Sequence, residues 1–142
     1  DLEFTLDLNS NTVPLPKIFT PSIDLSGRGF NRQAGWPQEL AAQEVLKYLN
    51  LDSILVTLGE EGMCLLERSG RLTRIPTVAQ EVFDVSGAGD TVIAVFTLAL
   101  ASRATKVEAA HISNFAAGIV VGKLGTATTN RKELIDIIER RS

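Results

Sequence analysis

The sequence is poor in the residue types that build disulfide frameworks and metal centres: its 142 residues include one cysteine and one histidine. Cys64 alone can form no internal disulfide, and His111 has no histidine or cysteine companions for a zinc site. The net charge of -3 offers no basic footprint for nucleic acid. The longest apolar run, Val92 to Ala101, is too short to span a bilayer. No charged segment followed by an apolar one opens the chain, so we expect no secretory signal.

The composition is that of a single folded unit. A hydrophobic content of 44% in a chain of this length can bury one core. We therefore expect one soluble domain, and a single thiol is compatible with the reducing cytoplasm.

Two short strands are predicted near the start of the chain. Leu2 to Leu8 alternates between apolar and polar residues, and Asn9 to Pro16 is expected to break that strand. Lys17 to Thr20 forms a second candidate strand. The stretch Ser22 to Trp36 is rich in glycine, serine, aspartate and asparagine, which indicates a loop.

The middle of the chain alternates between helix and strand signals. Pro37 to Leu49 carries apolar residues at helical spacing, and Pro37 suits the first helical position. Ile54 to Leu58 is apolar without alternation, which is typical of a central parallel strand covered on both faces. Met63 to Glu67 and Leu72 to Ile75 should pair antiparallel.

The last third reads as helices. The series from Thr91 to Ala101 is apolar nearly all round and predicts a helix buried between layers. Thr105 and Glu108 form a capping-box pattern for a helix from Lys106 to about Gly122, and Asn130 with Glu133 does the same for a final helix. Together these elements predict an α/β layered domain.

A glycine-rich turn lies between a β-prone run, Glu81 to Val85, and the apolar helix. We call this turn, Ser86-Gly87-Ala88-Gly89, the cradle. At a helix N-terminus the first amides lack intrahelical partners and attract anions, so the cradle could hold a phosphate. Asp90 at its rim could accept a proton or hold Mg²⁺, or it could simply complement the helix dipole. The turn alone leaves both readings open.

A family resemblance bears on this choice. The run Asp84-Val-Ser-Gly-Ala-Gly-Asp-Thr91 resembles the Asp-Thr-x-Gly-Ala-Gly-Asp signature of the ribokinase-like (PfkB) carbohydrate kinases. That resemblance implies that Asp90 is the catalytic base, that Gly87, Ala88 and Gly89 form an anion hole, and that the fold is a ribokinase-like layered α/β domain. It also implies a position for Asp84 near a structural monovalent cation such as K⁺, whereas the physical alternative is that Asp84 caps the turn.

Two further segments resemble nucleotide-binding parts of the same family. Val56 to Gly62 resembles its Thr-Leu-Gly-x-x-Gly segment, which implies nucleotide contacts from Thr57, Gly59 and Gly62; the alternative is a tight turn into the hairpin. His111 to Gly125 resembles its Asn-Ala-Ala-Ala segment, which implies that Asn114 helps to enclose adenine. The alternative for Asn114 is a buried interhelical hydrogen bond.

The resemblance extends to one branch of the family. The runs 80–93 and 116–127 are similar to the kinase part of bifunctional ADP-heptose synthases. This implies an ATP-dependent and Mg²⁺-dependent kinase that phosphorylates the anomeric hydroxyl of heptose 7-phosphate. A ribokinase-like kinase for another sugar or a nucleoside, and a non-catalytic nucleotide-binding module, are the alternatives.

The resemblance covers 54–138 well and 1–49 poorly. We therefore expect a single partial kinase domain over 1–142, with 37–142 as its ATP-side core and 1–36 poorly assigned. The expected partners are ATP and a sugar phosphate, with no nucleic acid and no membrane. A homodimer is one expectation for its assembly.

Overall fold

The computed structural model describes residues 5–8, 11–14, 18–19 and 37–140, and it describes side chains from Ala42 onward. The elements are β1 (Thr5–Leu8), β2 (Asn11–Pro14), β3 (Ile18–Phe19), α1 (Pro37–Tyr48), β4 (Ser53–Thr57), a 3₁₀ turn (Gly59–Glu61), β5 (Met63–Glu67), β6 (Leu72–Ile75), α2 (Ala88–Ala101), α3 (Lys106–Val121) and α4 (Arg131–Glu139). The predicted loop Ser22 to Trp36 lies outside the described residues.

A four-stranded sheet with the order β3-β4-β5-β6 forms the centre of the described fold. β3 pairs with β4 in parallel, and β4, β5 and β6 pair antiparallel. The prediction that the Ile54 to Leu58 run is a central strand is confirmed, because β4 has a neighbour on each side. The predicted parallel pairing holds only towards β3, since β4 pairs antiparallel with β5. The predicted hairpin of β5 and β6 is confirmed as well.

β1 and β2 form a separate two-stranded antiparallel pair. The expectation that Asn9 to Pro16 only interrupts a strand is therefore wrong, because Asn11 lies opposite Leu8 and Thr12 opposite Asp7. Thr12 and Val13 are β-branched residues, which favour extended backbone.

Helices cover both faces of the sheet. Leu55 and Leu65 point to one face and pack with Phe96 of α2 and Ala109 and Ala110 of α3. Ile54, Val56 and Leu66 point to the other face and pack with Ala42 and Leu46 of α1. Consecutive strand residues alternate between faces, so an unbroken apolar run supplies both layers.

The helix α2 is buried on one side only. Val92 and Phe96 are 2% and 1% exposed, whereas Ile93 is 45% and Leu98 is 67% exposed. The prediction that this helix is buried all round is wrong for the described residues. An apolar composition reports what a helix can bury, but its neighbours decide which faces are covered.

Both predicted capping boxes are present. The Thr105 side chain accepts a hydrogen bond from the Glu108 amide, and Asn130 does the same for Glu133. The helix predicted to end at Leu49 ends at Tyr48. Leu49 lies beyond its last turn and is 44% exposed. No helix in the described ranges is both long and apolar enough to cross a membrane.

Candidate active site

The segment that leads from β6 to α2 runs along α3. The Asn114 side-chain amide donates to the carbonyl of Pro76 at 2.8 Å. Further along, the amides of Phe83 and Asp84 donate to the carbonyl of Val121 at 2.8 and 3.3 Å. The prediction of a β-prone run from Glu81 to Val85 is wrong, because these amides bond to the C-terminus of a helix and not to a neighbouring strand.

This path needs a small residue in α3. A Cβ added at Gly118 would lie 2.7 Å from a methyl carbon of Val78 and 3.4 Å from the Ala79 amide nitrogen. The close approach places the segment directly against α3. The position of this segment on α3 therefore determines the position of the cradle that follows it.

The cradle opens the first turn of α2 to solvent. Gly87 is the N-cap residue with φ 80° and ψ 0°, a left-handed conformation that favours glycine. The Ala88 amide donates to the carbonyl of Val85 at 3.2 Å. The amides of Gly87 and Gly89 have no hydrogen-bond partner among the residues described, and a Cβ at Gly89 would meet nothing within 4 Å. Two free donors and open space together suit an anion.

Asp90 lies in the first turn of α2 and its side chain is exposed. The neighbouring Thr91 braces the turn, because its hydroxyl and its amide both donate to the carbonyl of Gly87, at 2.9 and 3.0 Å. The structure thus brings the predicted base and the predicted anion hole together in one turn. Asp90 is exposed, and Gly87, Ala88 and Gly89 are half-buried.

Asp84 caps the turn that enters the cradle. Its Oδ1 accepts a hydrogen bond from the Ser86 amide at 2.8 Å. The Ser86 backbone and hydroxyl lower the pKa of this carboxyl group; burial opposes them with a weaker effect, and the Gly125 amide adds the smallest contribution, which also lowers it. An ionised carboxylate that accepts several donors is the arrangement expected of a turn cap. A contact with a monovalent cation stays a prediction.

The loop between α3 and α4 packs against the cradle. The Thr126 methyl carbon lies 3.3 Å from the position that a Cβ on Gly87 would occupy, and the Gly125 amide is close enough to Asp84 to lower the pKa of its carboxyl group. Sequence reasoning gave no role to Gly125 or Thr126. The available signal was the run of glycine and small residues after α3, which marks a tight turn but not what that turn touches.

The segment from Thr57 to Gly62 closes the end of β4. The Leu58 amide donates to the carbonyl of Gly62 at 2.8 Å, and the Gly62 amide donates to the carbonyl of Gly59 at 3.1 Å. A Cβ at Gly62 would lie 2.2 Å from the carbonyl oxygen of Ile75, whereas a Cβ at Gly59 would meet nothing. Gly62 is therefore required by the close approach of β6. Gly59 faces open space and remains free to approach a ligand.

Asn114 is buried, with 4% of its surface exposed. Its side chain donates to the carbonyl of Pro76, and the carbonyl carbon of Pro76 is one of the backbone atoms that crowd Gly62. The interhelical hydrogen bond considered from the sequence is in fact a bond to a loop carbonyl. A role towards adenine stays a prediction.

The predicted residues lie near two points along α3. Asn114 contacts Pro76, which also crowds Gly62 at the end of the segment from Thr57 to Gly62. Val121 bonds to the segment that contains Asp84 and leads into the cradle and Asp90. Val121 lies seven positions after Asn114, which corresponds to roughly 10 Å along the helix axis. Two neighbouring subsites of this kind suit an extended ligand with a phosphate end.

The carboxylates of Asp84 and Asp90 flank the cradle. No group of three or more histidine, cysteine, aspartate or glutamate residues that could hold a metal occurs within the described part of the chain. Mg²⁺ needs no such group when it arrives with a nucleotide, because it is then held by phosphate oxygens and one or two carboxylates. The residues present therefore fit a Mg²⁺ ion carried by the ligand.

A layered α/β sheet that leads into an open helix N-terminus with an exposed carboxylate is an arrangement typical of phosphate-handling α/β proteins. The sequence model of the pfkB family carbohydrate kinases matches residues 5–133. The chain belongs to that family.

The curated relatives are bifunctional proteins. The chain is 49% identical over 100 residues to the bifunctional protein HldE of Paramagnetospirillum magneticum, which covers 70% of this chain and 20% of that protein. It is 53% identical over 97 residues to HldE of Citrifermentans bemidjiense, covering 68% and 20%. The chain thus spans about a fifth of the length of these relatives.

Solved structures share the fold. Ribokinase from Thermotoga maritima superimposes with a TM-score of 0.73 at 25% identity, covering 87% of this chain and 42% of the other. Arabidopsis thaliana ribokinase in complex with ribose and ATP gives 0.65 at 25% identity, covering 74% and 35%. Phosphofructokinase-2 from Escherichia coli in complex with potassium gives 0.71 at 21% identity, covering 87% and 40%. The predicted ribokinase-like fold is confirmed.

Proposed function

We propose that this chain is the ATP-side part of a sugar kinase that phosphorylates the anomeric hydroxyl of D-glycero-D-manno-heptose 7-phosphate. The product is the 1,7-bisphosphate, an intermediate for ADP-heptose and the lipopolysaccharide core. The identity to two HldE proteins supports the choice of sugar. The observation that carries the reaction type is the exposed Asp90 beside the partnerless amides of Gly87 and Gly89.

In this reaction Asp90 accepts the proton of the sugar hydroxyl. The hydroxyl oxygen then forms a bond to the γ-phosphorus of ATP, and the bond from that phosphorus to the β-γ bridging oxygen breaks to release ADP. Because the carboxyl group of Asp90 is exposed, it can afterwards lose its proton to solvent. The free amides of the cradle stabilise the charge on the transferring group, which is where most of the catalysis of phosphoryl transfer arises.

The other predicted residues serve the nucleotide in this proposal. Thr57 and Gly59 meet the ribose and phosphates at the end of β4, and Gly62 shapes that turn. Asn114 borders the adenine and holds Pro76 in place. A Mg²⁺ ion that arrives with ATP would neutralise phosphate charge. A K⁺ ion would bind beside Asp84.

The ribokinase that was solved with ribose and ATP supports ATP and a sugar as ligands. We further propose that the complete kinase is a cytoplasmic homodimer. Size-exclusion chromatography with light scattering tests the assembly.

The reaction is tested with the complete kinase that contains this chain. Wild type, Asp90→Asn and the matched control Asp136→Asn, which alters a carboxylate on α4, are given radiolabelled ATP and a panel of sugars, sugar phosphates and nucleosides. We expect transfer to heptose 7-phosphate, a loss of about 10²–10⁴-fold in kcat for Asp90→Asn, and an unchanged control.

Two outcomes would contradict the proposal. Nucleotide binding without any transfer that depends on Asp90 would show a non-catalytic binding module. Transfer to another sugar or to a nucleoside, and not to the heptose, would retain the kinase and overturn the substrate.

A further inference from the structure

We propose that Lys123 and Glu133 form a positioning clamp that holds the loop 122–130 against the cradle and thereby sets the rate of phosphoryl transfer. The inference rests on the proposed function, since it concerns how that active site is kept in shape. Lys123 lies within a segment that resembles the family, but the resemblance gave no role to Lys123 or to Glu133.

The clamp joins the two helices that flank the loop. The Lys123 ammonium group donates to Glu133 Oε1 at 2.7 Å and to the carbonyl of Thr128 at 2.8 Å. Both side chains are about one-third exposed. One lysine thus ties the end of α3, the middle of the loop and the first turn of α4.

Glu133 serves two purposes at once. Its Oε2 accepts from the Asn130 amide at 3.0 Å and from the Thr129 hydroxyl at 3.3 Å, which completes the capping box of α4. Its Oε1 accepts from Lys123. The pKa of Glu133 is lowered mainly by the Lys123 hydrogen bond and further by the Asn130 amide. Oε2 of Glu133 therefore serves the helix cap, and Oε1 serves the clamp.

The far side of the same loop touches the cradle. The Thr126 methyl carbon lies 3.3 Å from the position of a Cβ on Gly87, and the Gly125 amide is close enough to Asp84 to lower the pKa of that carboxyl group. Gly87 in turn is braced by Thr91, one residue after the predicted base. A loosened clamp would let Gly125 and Thr126 withdraw, and the free amides of the cradle would lose their fixed direction. Preorganised donors act mainly in the transition state, so kcat should fall more than ATP affinity.

The substitution Glu133→Gln tests this with little other damage. Glutamine can keep the capping bonds, because a capping box accepts either residue. Its NH₂ group would then face Lys123 and could not accept a hydrogen bond. Lys123→Met removes the other partner, and the double variant tests whether both act as one unit.

The chain offers a matched control in Glu108. This glutamate completes the capping box of α3 with Thr105, and its pKa is likewise lowered by the Thr105 hydroxyl and amide. No lysine contact to it is present among the described ion pairs. Glu108→Gln therefore reproduces the loss of a capping charge without touching the clamp.

In the complete kinase we expect Glu133→Gln and Lys123→Met each to lower kcat by about tenfold, because misplacements well below 1 Å matter for positioned groups. The KM for ATP should stay within about twofold, the double variant should be no slower than the slower single variant, and Glu108→Gln should match wild type. Thermal unfolding is measured for all four variants. A loss of kcat confined to the clamp variants, at a stability equal to that of Glu108→Gln, supports the proposal.

A direct contact between Lys123 and the nucleotide gives a different pattern. It would raise the KM for ATP in Lys123→Met and leave Glu133→Gln near wild type, which would overturn the clamp. Wild-type kinetics in both variants would overturn it as well.

A second readout does not depend on activity. In the nucleotide-free protein, the Gly125 amide should exchange its hydrogen faster in Glu133→Gln than in Glu108→Gln or wild type. Unchanged exchange would refute the clamp. If wild type showed no phosphoryl transfer that Asp90→Asn abolishes, the proposed function would be refuted. The contact between the clamp and the loop would still be tested by hydrogen exchange.

Discussion

Gly62 and Gly59 lie three residues apart in a segment that the family resemblance assigns to nucleotide binding, yet the structure gives them different reasons to be glycine. A Cβ on Gly62 would lie 2.2 Å from the Ile75 oxygen, 2.5 Å from the Thr77 nitrogen and 2.7 Å from the Pro76 carbonyl carbon. All three are backbone atoms, so no side chain can rotate away. Gly62→Ala must shift the end of β6.

The cost follows from two effects. The φ of Gly62 is +92°, which is strained for any other residue, and the methyl group is overpacked against backbone. Strain and overpacking each cost about 1–3 kcal/mol, so Gly62→Ala should lose on the order of 2–6 kcal/mol of unfolding free energy. At Gly59, where φ is +60° and the space is open, the left-handed backbone alone should cost about 1–2 kcal/mol.

Urea unfolding of the complete kinase measures both values, and a steady-state titration of ATP measures the second consequence. We expect Gly62→Ala to be the less stable variant. We expect Gly59→Ala to raise the KM for ATP, because its methyl group would occupy the open space where a ligand approaches. Equal stability of the two variants would refute the reasoning about Gly62, and an unchanged KM in Gly59→Ala would remove Gly59 from the nucleotide site.

Two further predictions concern polar groups. Because hydrogen bonds depress the folded-state pKa of Asp84 below its ordinary value of 3.8, this group stabilises the fold above about pH 4 and loses that contribution as the pH falls through the lowered pKa. The thermal midpoint of wild type should thus exceed that of Asp84→Asn near neutral pH and converge with it in acid; a pH-independent gap would contradict this. The Ser53 hydroxyl is fully buried and has no hydrogen-bond partner among the residues that the structure describes, so Ser53→Ala should raise the unfolding free energy by about 1 kcal/mol. The matched change Ser113→Ala, which removes a 2.9 Å bond to Ala110, should lower it by about 1 kcal/mol, and equal effects in urea unfolding would refute the comparison.

Features that depend on neighbours close along the chain could be predicted from the sequence. The capping boxes of α3 and α4, the hairpin of β5 and β6, and the glycine turn before Asp90 are of this kind, because each is built from contacts a few residues apart. The apolar run at β4 likewise indicated a strand covered on both sides. The family signature added the roles proposed for Asp90 and the cradle.

The wrong predictions concern contacts between distant parts of the chain. The segment before the cradle was expected to be a strand, but its amides found the C-terminus of α3 instead. The helix α2 was expected to be buried all round, but Leu98 is 67% exposed. Composition states what a segment could pair with or bury, and only its neighbours in space decide whether it does.

The sequence by itself determined the helix entrance, its free amides and the acid beside them, because local backbone geometry follows from glycine, helix start and side-chain spacing. Only the tertiary structure decided what supports that entrance. Asn114 reaches Pro76 across 38 residues, and Gly125 reaches Asp84 across a similar distance along the chain. No local pattern encodes such pairs, since they depend on how the packed sheet and helices bring remote backbone together.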